Sequence, residues 1–329
     1  MNVGIIGCGL VGKKRSLQLA GSNLKYCCDS VFSKAEEVAR NHPSKPITTA
    51  HWQEVLADMS VDTIIIATMH HVLAPIASEA IRLGKNILIE KPVCKTVDEL
   101  NGLIKAKNKY KSIVRVGFNH RYHPAILKAR SILDNGDIGD LMHLRARYGH
   151  GGRKGYDREW RADPKLAAGG ELVEQGIHII DLARWFLGSF VEVKGFATTS
   201  FWDQDLDDNG FMILRTLDKK TAFMHVSCTE WKNTFSIEVY GKLGKIEISG
   251  LGGSYGLEKC TLYKRPENFG YPETTVWEYP GEDLSWETEF KDFLKDIKYQ
   301  RSPSASLENA LEAWHVINKI YNNNGEIES

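Results

Sequence analysis

Residues 3 to 12 read Val-Gly-Ile-Ile-Gly-Cys-Gly-Leu-Val-Gly, and this stretch decides the fold of the N-terminal half of the chain. An apolar run is followed directly by the pattern Gly-x-Gly-x-x-Gly, and Lys13 to Ala20 is predicted to be a helix. Between a strand and a helix, the first glycine permits a tight turn, the second lets the backbone approach a pyrophosphate, and the third allows close helix packing. Helix N-H groups then face the phosphates. The stretch therefore predicts a dinucleotide site formed by Gly7, Gly9, Leu10, Val11 and Gly12.

An acidic residue follows the second predicted strand, which runs from Leu24 to Cys28. A carboxylate at Asp29 can accept hydrogen bonds from the ribose hydroxyls of the adenosine, and it would repel a 2'-phosphate. The sequence therefore predicts NAD in preference to NADP. The alternative is that Asp29 only caps the helix predicted over Lys34 to Ala39.

Composition excludes several classes of function. The chain has 329 residues, enough for two domains, with 42 Lys plus Arg and 42 Asp plus Glu. Because there is no basic excess to hold a phosphate backbone, nucleic acid is not expected as a partner. No segment approaches the roughly 20 apolar residues of a membrane span, and no secretory signal is evident, so we expect a soluble cytoplasmic protein.

The six cysteines show no Cys-x-x-Cys spacing. Cys27 and Cys28 are adjacent on a predicted strand and therefore point to opposite faces. These residues are interpreted as small buried hydrophobes and not as disulfides or zinc ligands, and no metal site is predicted.

Strand and helix patterns continue to alternate after Asp29. The Ile-rich run from Thr63 to Ala67 is typical of a central parallel strand that is buried on both faces. Further strands are predicted over 86–90 and 114–118, and further helices over 74–83 and 96–108. Repeated units of this kind predict a doubly wound parallel sheet, a Rossmann fold, with ligands at the carboxyl ends of the strands.

The pattern changes near residues 119–124. A bridging helix is predicted over 124–133, followed by longer runs of alternating polarity with turn signals, as in an antiparallel meander. We predict an NAD-binding domain over 1–122 and, over 123–329, an α+β domain for substrate binding and oligomerisation. That second domain has a large, mostly antiparallel open sheet and flanking helices, including 285–299 and 307–322. Residues 322–329 are predicted to be disordered.

The segment from Glu171 to Trp185 carries the most informative pattern of the second half. At about 100° per residue, ionisable side chains that include Glu174 and His178 share one helix face, and apolar side chains share the other. One interpretation is an ordinary amphipathic helix with a solvated polar side. The other is that a carboxylate and an imidazole one turn apart form a general base with its partner.

Lys91 lies between Glu90 and Pro92 at the end of a predicted buried strand, where the nicotinamide end of a cofactor is expected. Its ammonium could donate to a reacting hydroxyl and stabilise the developing alkoxide. The alternative is a surface lysine at a transition from strand to loop.

Together these residues resemble the Gfo/Idh/MocA family, which includes glucose-fructose oxidoreductase and inositol dehydrogenase. The resemblance extends over almost the whole chain. Its most specific part is the Glu-Lys-Pro triplet at 90–92, followed by a Gly-Gly helix that carries acid-x-x-x-His. The other segments that carry the resemblance are 7–12, Asp29, Ala67-Thr68, 84–89, 117–124, 136–139 and 160–188.

The resemblance implies roles for individual residues. In the family, the lysine and histidine positions contact the reacting hydroxyl, and an Asp four residues before the histidine usually assists. It therefore implies that Lys91, His178 and Glu174 are catalytic. We extend the predicted cofactor site to Ser30, Thr68, His70, Glu90, Lys91 and Asn119. The predicted substrate site consists of Lys91, Arg121, Tyr122, Arg158, Arg161, Glu174, His178 and Asp181.

The chain departs from the family pattern in three places. Glu174 replaces the usual Asp, which moves the carboxylate one methylene away from its backbone. His70 stands where the family has Asn, so it either contacts the nicotinamide ribose or is an ordinary loop histidine; the proline and final histidine of that family motif are also missing. A Gly-rich loop over 150–161 carries Arg153, Lys154, Arg158 and Arg161, which either bind phosphate or form a solvated charged loop.

These observations predict an NAD-dependent oxidoreductase that transfers hydride between nicotinamide and a secondary alcohol or ketone of a sugar. The basic loop favours a nucleotide-activated or phosphorylated sugar, and a free sugar or inositol is the alternative. A redox-neutral NAD-dependent glycosidase and a non-catalytic sensor of NAD or sugar are alternatives from other classes. The family resemblance suggests a homodimer or homotetramer formed through the C-terminal sheet.

Overall fold

The computed structural model describes residues 1–323 of the chain. The strands of the N-terminal half are β1 (Asn2–Ile6), β2 (Asn23–Cys28), β3 (Ile47–Thr49), β4 (Thr63–Ile66), β5 (Asn86–Glu90) and β6 (Val114–Gly117). They form one six-stranded sheet in the order β3-β2-β1-β4-β5-β6, and every pairing is parallel. The predicted doubly wound parallel sheet is therefore confirmed.

Helices follow these strands in sequence. They are α1 (Leu10–Ser16), α2 (Phe32–Asn41), α3 (Trp52–Ala57), α4 (His70–Arg82) and α5 (Val97–Tyr110). The prediction for α1 is wrong in register, because the helix begins directly after Gly9 and ends at Ser16. Ala20 and Gly21, which follow, both have positive φ values, and such a turn cannot continue an α-helix.

The second sheet contains the strands of the C-terminal half. They are β7 (Leu141–Gly149), β8 (Phe190–Thr198), β9 (Asn209–Thr216), β10 (Thr221–Ser227), β11 (Thr234–Gly241), β12 (Gly244–Ser249), β13 (Glu258–Lys264) and β14 (Glu273–Tyr279). Their order is β14-β13-β12-β11-β7-β10-β9-β8. The sheet is mostly antiparallel, as predicted, but it is not a meander, because β7 lies in the middle and pairs in parallel with β10. The long connection after β7 allows this parallel crossover.

The remaining helices are α6 (Pro124–Asp134), α7 (Glu171–Glu174), α8 (Gly176–Leu187), α9 (Ser285–Tyr299) and α10 (Leu307–Asn323). Inward-facing residues of the sheet such as Leu144, Met224 and Val226 are buried, and α7 and α8 pack on that face. Residues 322 and 323, predicted to be disordered, belong to α10, and the rest of that prediction lies outside the described residues.

The described chain divides into two compact units. The first contains Met1–Phe118, Lys165–Ala168 and Trp286–Leu311, and the second contains the other described residues. The predicted first domain ends at residue 122. The first unit of the structure ends four residues earlier, at Phe118, and it also includes most of α9. Phe290 and Phe293 of α9 join the same core as Val3 of β1, which explains this assignment.

Candidate active site and cofactor site

The three glycines after β1 have distinct geometries. Gly7 has a φ of +97°, and a Cβ there would lie 2.4 Å from the carbonyl oxygen of Ala67. A Cβ on Gly12 would lie 1.8 Å from the carbonyl oxygen of Gly7, so only glycine lets the helix approach the turn. A Cβ on Gly9 would meet no described atom within 4 Å. The turn and the packing thus require Gly7 and Gly12, whereas Gly9 lies at an open backbone surface.

Asp29 lies next to this turn. Its carboxylate accepts hydrogen bonds from the N-H of Cys8 (2.8 Å) and from the N-H of Val31 (2.9 Å). The bond from Val31 is a local turn contact, and the N-cap of α2 is Val31 itself, so Asp29 is not the capping residue of the alternative interpretation. Each carboxylate oxygen can accept more than one hydrogen bond, so acceptor capacity for ribose hydroxyls remains.

The glycine turn and Asp29 fit a dinucleotide. Gly9 leaves the backbone uncovered where a pyrophosphate would lie, since no side chain occupies the space in which its Cβ would be. The carboxylate of Asp29 is held against the same turn by the N-H of Cys8. An open glycine backbone with an oriented acid beside it is the donor and acceptor set that pyrophosphate and ribose need.

His70 begins α4 and is buried. Its Nδ1 accepts a hydrogen bond from the N-H of Ala168 (3.1 Å), so its Nε2 carries the proton when the ring is neutral. The neighbouring segment is held by two further bonds, from the N-H of His71 to the carbonyl of Leu166 and from Lys95 Nζ to the carbonyl of Lys165. His70 therefore anchors residues 165–168 within the first unit, and its contact with a nicotinamide ribose stays a prediction.

Glu90, the last residue of β5, belongs to a buried ionic network. Its Oε1 accepts hydrogen bonds from Nε (2.8 Å) and Nη2 of Arg15, and Nη1 of Arg15 donates to Glu289 of α9. Trp286 stacks on the guanidinium, with 4.5 Å between Cζ and the ring centroid. Gly117 makes room for the pair, because a Cβ there would lie 2.8 Å from Nη2 of Arg15. Glu90 is thus an internal ion-pair partner, and its predicted cofactor contact is not tested.

Lys91 follows Glu90 directly at the carboxyl end of β5, and Thr68 follows β4 at the same edge. Lys91 is half-buried. Because ligands of open α/β sheets bind outside the carboxyl ends of the strands, the structure places Lys91 at the edge where the prediction needs it. Its anchor is Glu90, which the Arg15 network holds in place.

The segment predicted as one helix over 171–185 is two helices. α7 ends at Glu174, Gln175 has φ and ψ of −106° and −35°, and α8 starts at Gly176. The N-H of His178 bonds to the carbonyl of Gln175 and not to that of Glu174, so the single-helix expectation is wrong. Gly176, a poor helix former, lies at this break. The carboxylate of Glu174 lies 3.5 Å from Nε of Arg161.

The Gly-Gly pair before α7 leaves room for a buried hydrogen-bonded carboxylate. The carboxylate of Asp207 accepts hydrogen bonds from the N-H of Gly170 and of Leu172 (2.8 Å) and from the hydroxyl of Tyr321 (2.6 Å). A Cβ on Gly170 would lie 2.0 Å from the carbonyl oxygen of Asp207, and one on Gly169 would lie 2.6 Å from the hydroxyl of Tyr321. Burial raises the pKa of Asp207. The glycines are therefore needed for packing at the start of α7.

The polar face of α8 is buried. His178 is 5% exposed and Asp181 is 1% exposed, so the interpretation as a solvated amphipathic helix is wrong. The His178 ring stacks on the ring of His120, with 3.8 Å between centroids and 15° between planes. Asp181 accepts hydrogen bonds from Nε (2.7 Å) and Nη2 (2.6 Å) of Arg121, so these two residues pair with each other. Their predicted substrate contacts stay predictions.

A second buried carboxylate lies on α7. Glu171 accepts a hydrogen bond from the hydroxyl of Tyr156 (2.7 Å), and His150 Nε2 lies 3.7 Å from the same oxygen. Burial, with the negative charge of Glu171 beside it, raises the pKa of Tyr156, and burial lowers the pKa of His150. Tyr156 and His150 belong to the Gly-rich basic loop, so Glu171 ties that loop to α7.

The cations of the basic loop are in different surroundings. Arg153 forms a bidentate pair with Glu159, at 2.7 and 2.6 Å, and Arg161 lies against Glu174 and over the Trp160 ring. Lys154 and Arg158 are exposed, and within residues 1–323 neither has a carboxylate within ion-pair distance. Two of the four cations are therefore already paired.

Sequence reasoning missed several buried residues of the second unit. They are His120, Tyr148, Tyr156 and Glu171. Two signals were available, because His120 lies in the Asn-His-Arg-Tyr segment that carries the resemblance and Glu171 shares the polar face of the 171–185 pattern. No sequence signal brings Tyr148 to His120 or Tyr156 to Glu171. Among the described residues, no cluster of His, Cys, Asp or Glu could hold a metal ion.

All six cysteines are buried and unpaired, which confirms their interpretation as hydrophobic core residues. Burial raises the pKa of the Cys94 thiol to about 12, so it is inert as a nucleophile near neutral pH. No helix within residues 1–323 is both long and apolar enough to span a bilayer.

Known proteins similar to this chain include sugar and inositol dehydrogenases. A levoglucosan dehydrogenase from Pseudarthrobacter phenanthrenivorans is 28% identical over 66% of this chain and 59% of its own length. An inositol 2-dehydrogenase from Saccharopolyspora erythraea is 26% identical over 66% of this chain and 63% of its own length. The alignments thus cover about three fifths of the length of these relatives.

A solved structure of a levoglucosan dehydrogenase in complex with NADH and levoglucosan has the same fold. Its TM-score is 0.88 at 23% identity, covering 98% of this chain and 97% of that one. Two models of a single family match the sequence, the oxidoreductase family with an NAD-binding Rossmann fold over residues 1–118 and the GFO/IDH/MocA C-terminal domain over residues 126–247. The chain therefore belongs to the GFO/IDH/MocA family of oxidoreductases.

Proposed function

We propose that the protein is an NAD-dependent dehydrogenase or reductase for a secondary alcohol of a sugar or cyclitol. The observation that carries this proposal is the burial of His178. Its imidazole is a titratable group that lies on the buried polar face of α8. In the proposal, the first unit holds NAD and the second recognises the substrate. Two features of the first unit support hydride transfer as the reaction. They are Lys91 at the end of β5 and the glycine turn, whose geometry fits a dinucleotide.

In the proposed reaction, His178 takes the hydroxyl proton and Lys91 stabilises the negative charge that develops on the oxygen. When bound, NAD supplies the hydride acceptor at C4 of its nicotinamide. Glu174, whose carboxylate lies 3.5 Å from Nε of Arg161, is proposed to orient His178. Arg121 and Asp181 hold α8 in place through their ion pair.

The experiment that tests this function is a screen for NADH formation. Purified protein is incubated with NAD and a panel of free sugars, inositols, sugar phosphates and nucleotide sugars, and NADH absorbance is followed. Formation of NADH with one substrate class supports the dehydrogenase. Release of an aglycone without net NADH would identify the redox-neutral glycosidase instead, and NAD binding without any reaction would favour the sensor.

The geometry of Asp29 predicts NAD specificity. We expect Asp29→Ala to raise the KM for NAD about 10- to 100-fold, because it removes hydrogen bonds to a charged acceptor worth about 1.5–3 kcal/mol. It should raise the KM for NADP less, since the repulsion of a 2'-phosphate is also removed. Steady-state kinetics with both cofactors measure this ratio. Glu36→Ala, which removes an exposed carboxylate from α2, is the control. An unchanged ratio would contradict the role of Asp29.

For the substrate, we propose an uncharged sugar or cyclitol in preference to a phosphorylated or nucleotide-activated sugar. The names of two relatives specify levoglucosan and inositol, which are neutral polyhydroxylated rings. In this chain Arg153 and Arg161 are already paired with Glu159 and Glu174. The basic loop therefore offers fewer unpaired cations to a phosphate than its composition suggests.

Arg158 provides the test of this preference, because it is exposed and lies in the same loop. We expect Arg158→Ala to leave the KM for a neutral sugar within about twofold. A neutral sugar has no phosphate for Arg158 to bind, so the variant loses no charged hydrogen bond of about 1.5–3 kcal/mol. Lys154→Ala is the matched control. If the substrate is phosphorylated, Arg158→Ala should instead raise its KM about 10- to 100-fold while Lys154→Ala has a smaller effect, and that result would reinstate phosphate recognition.

We also propose a homodimer or homotetramer formed through the outer face of the second sheet. Cross-strand pairs place Phe196 beside Phe211 and Ile213 beside Phe223 on that face. Phe196, Ile213 and Phe223 are each more than half exposed. A contiguous apolar surface of this kind is typical of a protein-protein interface.

A cytoplasmic location is proposed from the thiols. All six cysteines are unpaired, including Cys27 and Cys28, which are adjacent in β2. Free thiols persist in a reducing compartment.

A further inference from the structure

We propose that His120 is a positioning residue that fixes the ring plane of His178. The inference rests on the proposed function, because it assumes that His178 takes a proton from the substrate. His120 lies on the 3-10 helix Asn119–Tyr122, and its ring covers the ring of His178 at 3.8 Å with an interplanar angle of 15°. Both side chains are buried, so the stack is not exchanged for contacts with water.

The ring of His120 is itself held at both nitrogens. Its Nδ1 lies 3.2 Å from Oδ1 of Asn119, and Nδ2 of Asn119 donates to the hydroxyl of Ser285. Because an amide oxygen can only accept, Nδ1 of His120 carries the proton in this arrangement. When the ring is neutral, its Nε2 is the acceptor for the hydroxyl of Tyr148, at 3.2 Å. Burial raises the pKa of Tyr148, so this hydroxyl stays protonated and able to donate.

A second contact joins the same two elements. Arg121, the next residue on the 3-10 helix, forms the bidentate pair with Asp181 on α8. Asp181 lies three residues after His178, one helical turn along α8. The 3-10 helix therefore contacts α8 at two points. The ion pair between Arg121 and Asp181 fixes the backbone of α8, and the stacked ring of His120 sets the orientation of the His178 ring.

The chemical consequence concerns geometry. A general base must present its nitrogen within hydrogen-bond reach of the proton that it removes. Without the stacked ring, the His178 imidazole gains rotational freedom, and misplacement by about 1 Å can lower a rate about 100-fold. Loss of the stack should therefore reduce turnover more than substrate or cofactor binding.

The experiment compares His120→Ala with His120→Phe in the full-length protein. Phenylalanine keeps a flat ring over His178 and lacks the nitrogens, so it tests stacking separately from hydrogen bonding. The matched control is His143→Ala, which removes another stacked imidazole of the second unit, 4.3 Å from Tyr240. The measurements are kcat and the KM values for NAD and for the sugar or cyclitol identified in the screen.

A second measurement does not depend on turnover. Histidine-labelled protein is studied by NMR, with the His178 signals assigned by their absence in His178→Gln. Protons that face a stacked ring are shifted upfield, so His120→Ala should move the His178 signals downfield, and His120→Phe should preserve the shift. His143→Ala should leave these signals in place.

We expect His120→Ala to lower kcat about 10- to 100-fold with both KM values within about twofold, and His120→Phe to recover most of the loss. Equal kcat in wild type and His120→Ala would overturn the positioning role even if the NMR shift is observed. Unmoved His178 signals in His120→Ala would overturn the stack itself. If the wild type transfers hydride from no compound of the panel, the proposed function fails and the positioning role of His120 in that reaction fails with it, while the NMR result still reports the stack.

Discussion

Lys91→Ala should lower kcat about 10²- to 10⁴-fold, because it removes the positive charge proposed to stabilise the developing alkoxide and a participant in proton transfer. His178→Ala should cause a loss of similar size, since it removes the proposed general base. Residues that act as a unit are strongly non-additive, so the double variant should be little worse than either single variant. Steady-state kinetics of the three variants measure these losses.

The control for Lys91 is Lys34→Ala, which removes an exposed lysine from α2 of the same unit and should leave kcat unchanged. Thermal unfolding followed by circular dichroism checks that each variant is folded. If Lys91→Ala retains kcat within about threefold of wild type, the lysine does not supply the stabilisation that a charged donor normally gives. The proposed mechanism would then be wrong at that residue.

Arg15→Met should lower the free energy of unfolding by about 3–5 kcal/mol, because it leaves two buried carboxylates without their counter-ion. Arg15 is buried, and its guanidinium pairs with Glu90 of β5 and Glu289 of α9. Burial raises the pKa of Glu289, which makes its carboxylate sensitive to loss of the arginine. Urea unfolding followed by circular dichroism measures the difference.

A matched control lies two residues after the end of α9, the helix that carries Glu289. Arg301 pairs with Asp292 and Asp296, but its side chain is 45% exposed, and Asp296 keeps its bond from Arg115 (3.0 Å). Arg301→Met should therefore change stability by less than about 1 kcal/mol, as is typical of exposed ion pairs. Similar losses for the two variants would show that burial of the Arg15 network does not set its contribution.

The N-terminal half of the molecule could be predicted from sequence because its signals are local. The glycine pattern, the Ile-rich strand β4 and the acid after β2 each depend on a few consecutive residues, and the parallel sheet follows from their alternation with helices. The register of α1 was missed because the chain turns at Ala20 and Gly21, where both residues have positive φ values. In the sequence only Gly21 indicates such a turn, since alanine is common in helices.

The site in the C-terminal half was harder to predict. Periodicity places Glu174 and His178 on one face of a helix, but it does not show that Gln175 interrupts the helix. It also cannot distinguish a solvated polar face from a buried one, since burial of Asp181 depends on Arg121, sixty positions earlier in the chain. The His120 stack and the docking of α9 by Arg15 are likewise long-range contacts.

The most direct test of the central claim is the fate of the hydrogen on the carbinol carbon. The substrate identified in the screen is prepared with deuterium on that carbon and incubated with NAD and the wild-type protein, and the NADH is analysed by mass spectrometry. Hydride transfer predicts NADH that carries one deuterium, formed at least about 100-fold more slowly by Lys91→Ala at the same enzyme concentration. NADH without deuterium, or conversion of the substrate with no NADH formed, would contradict the account.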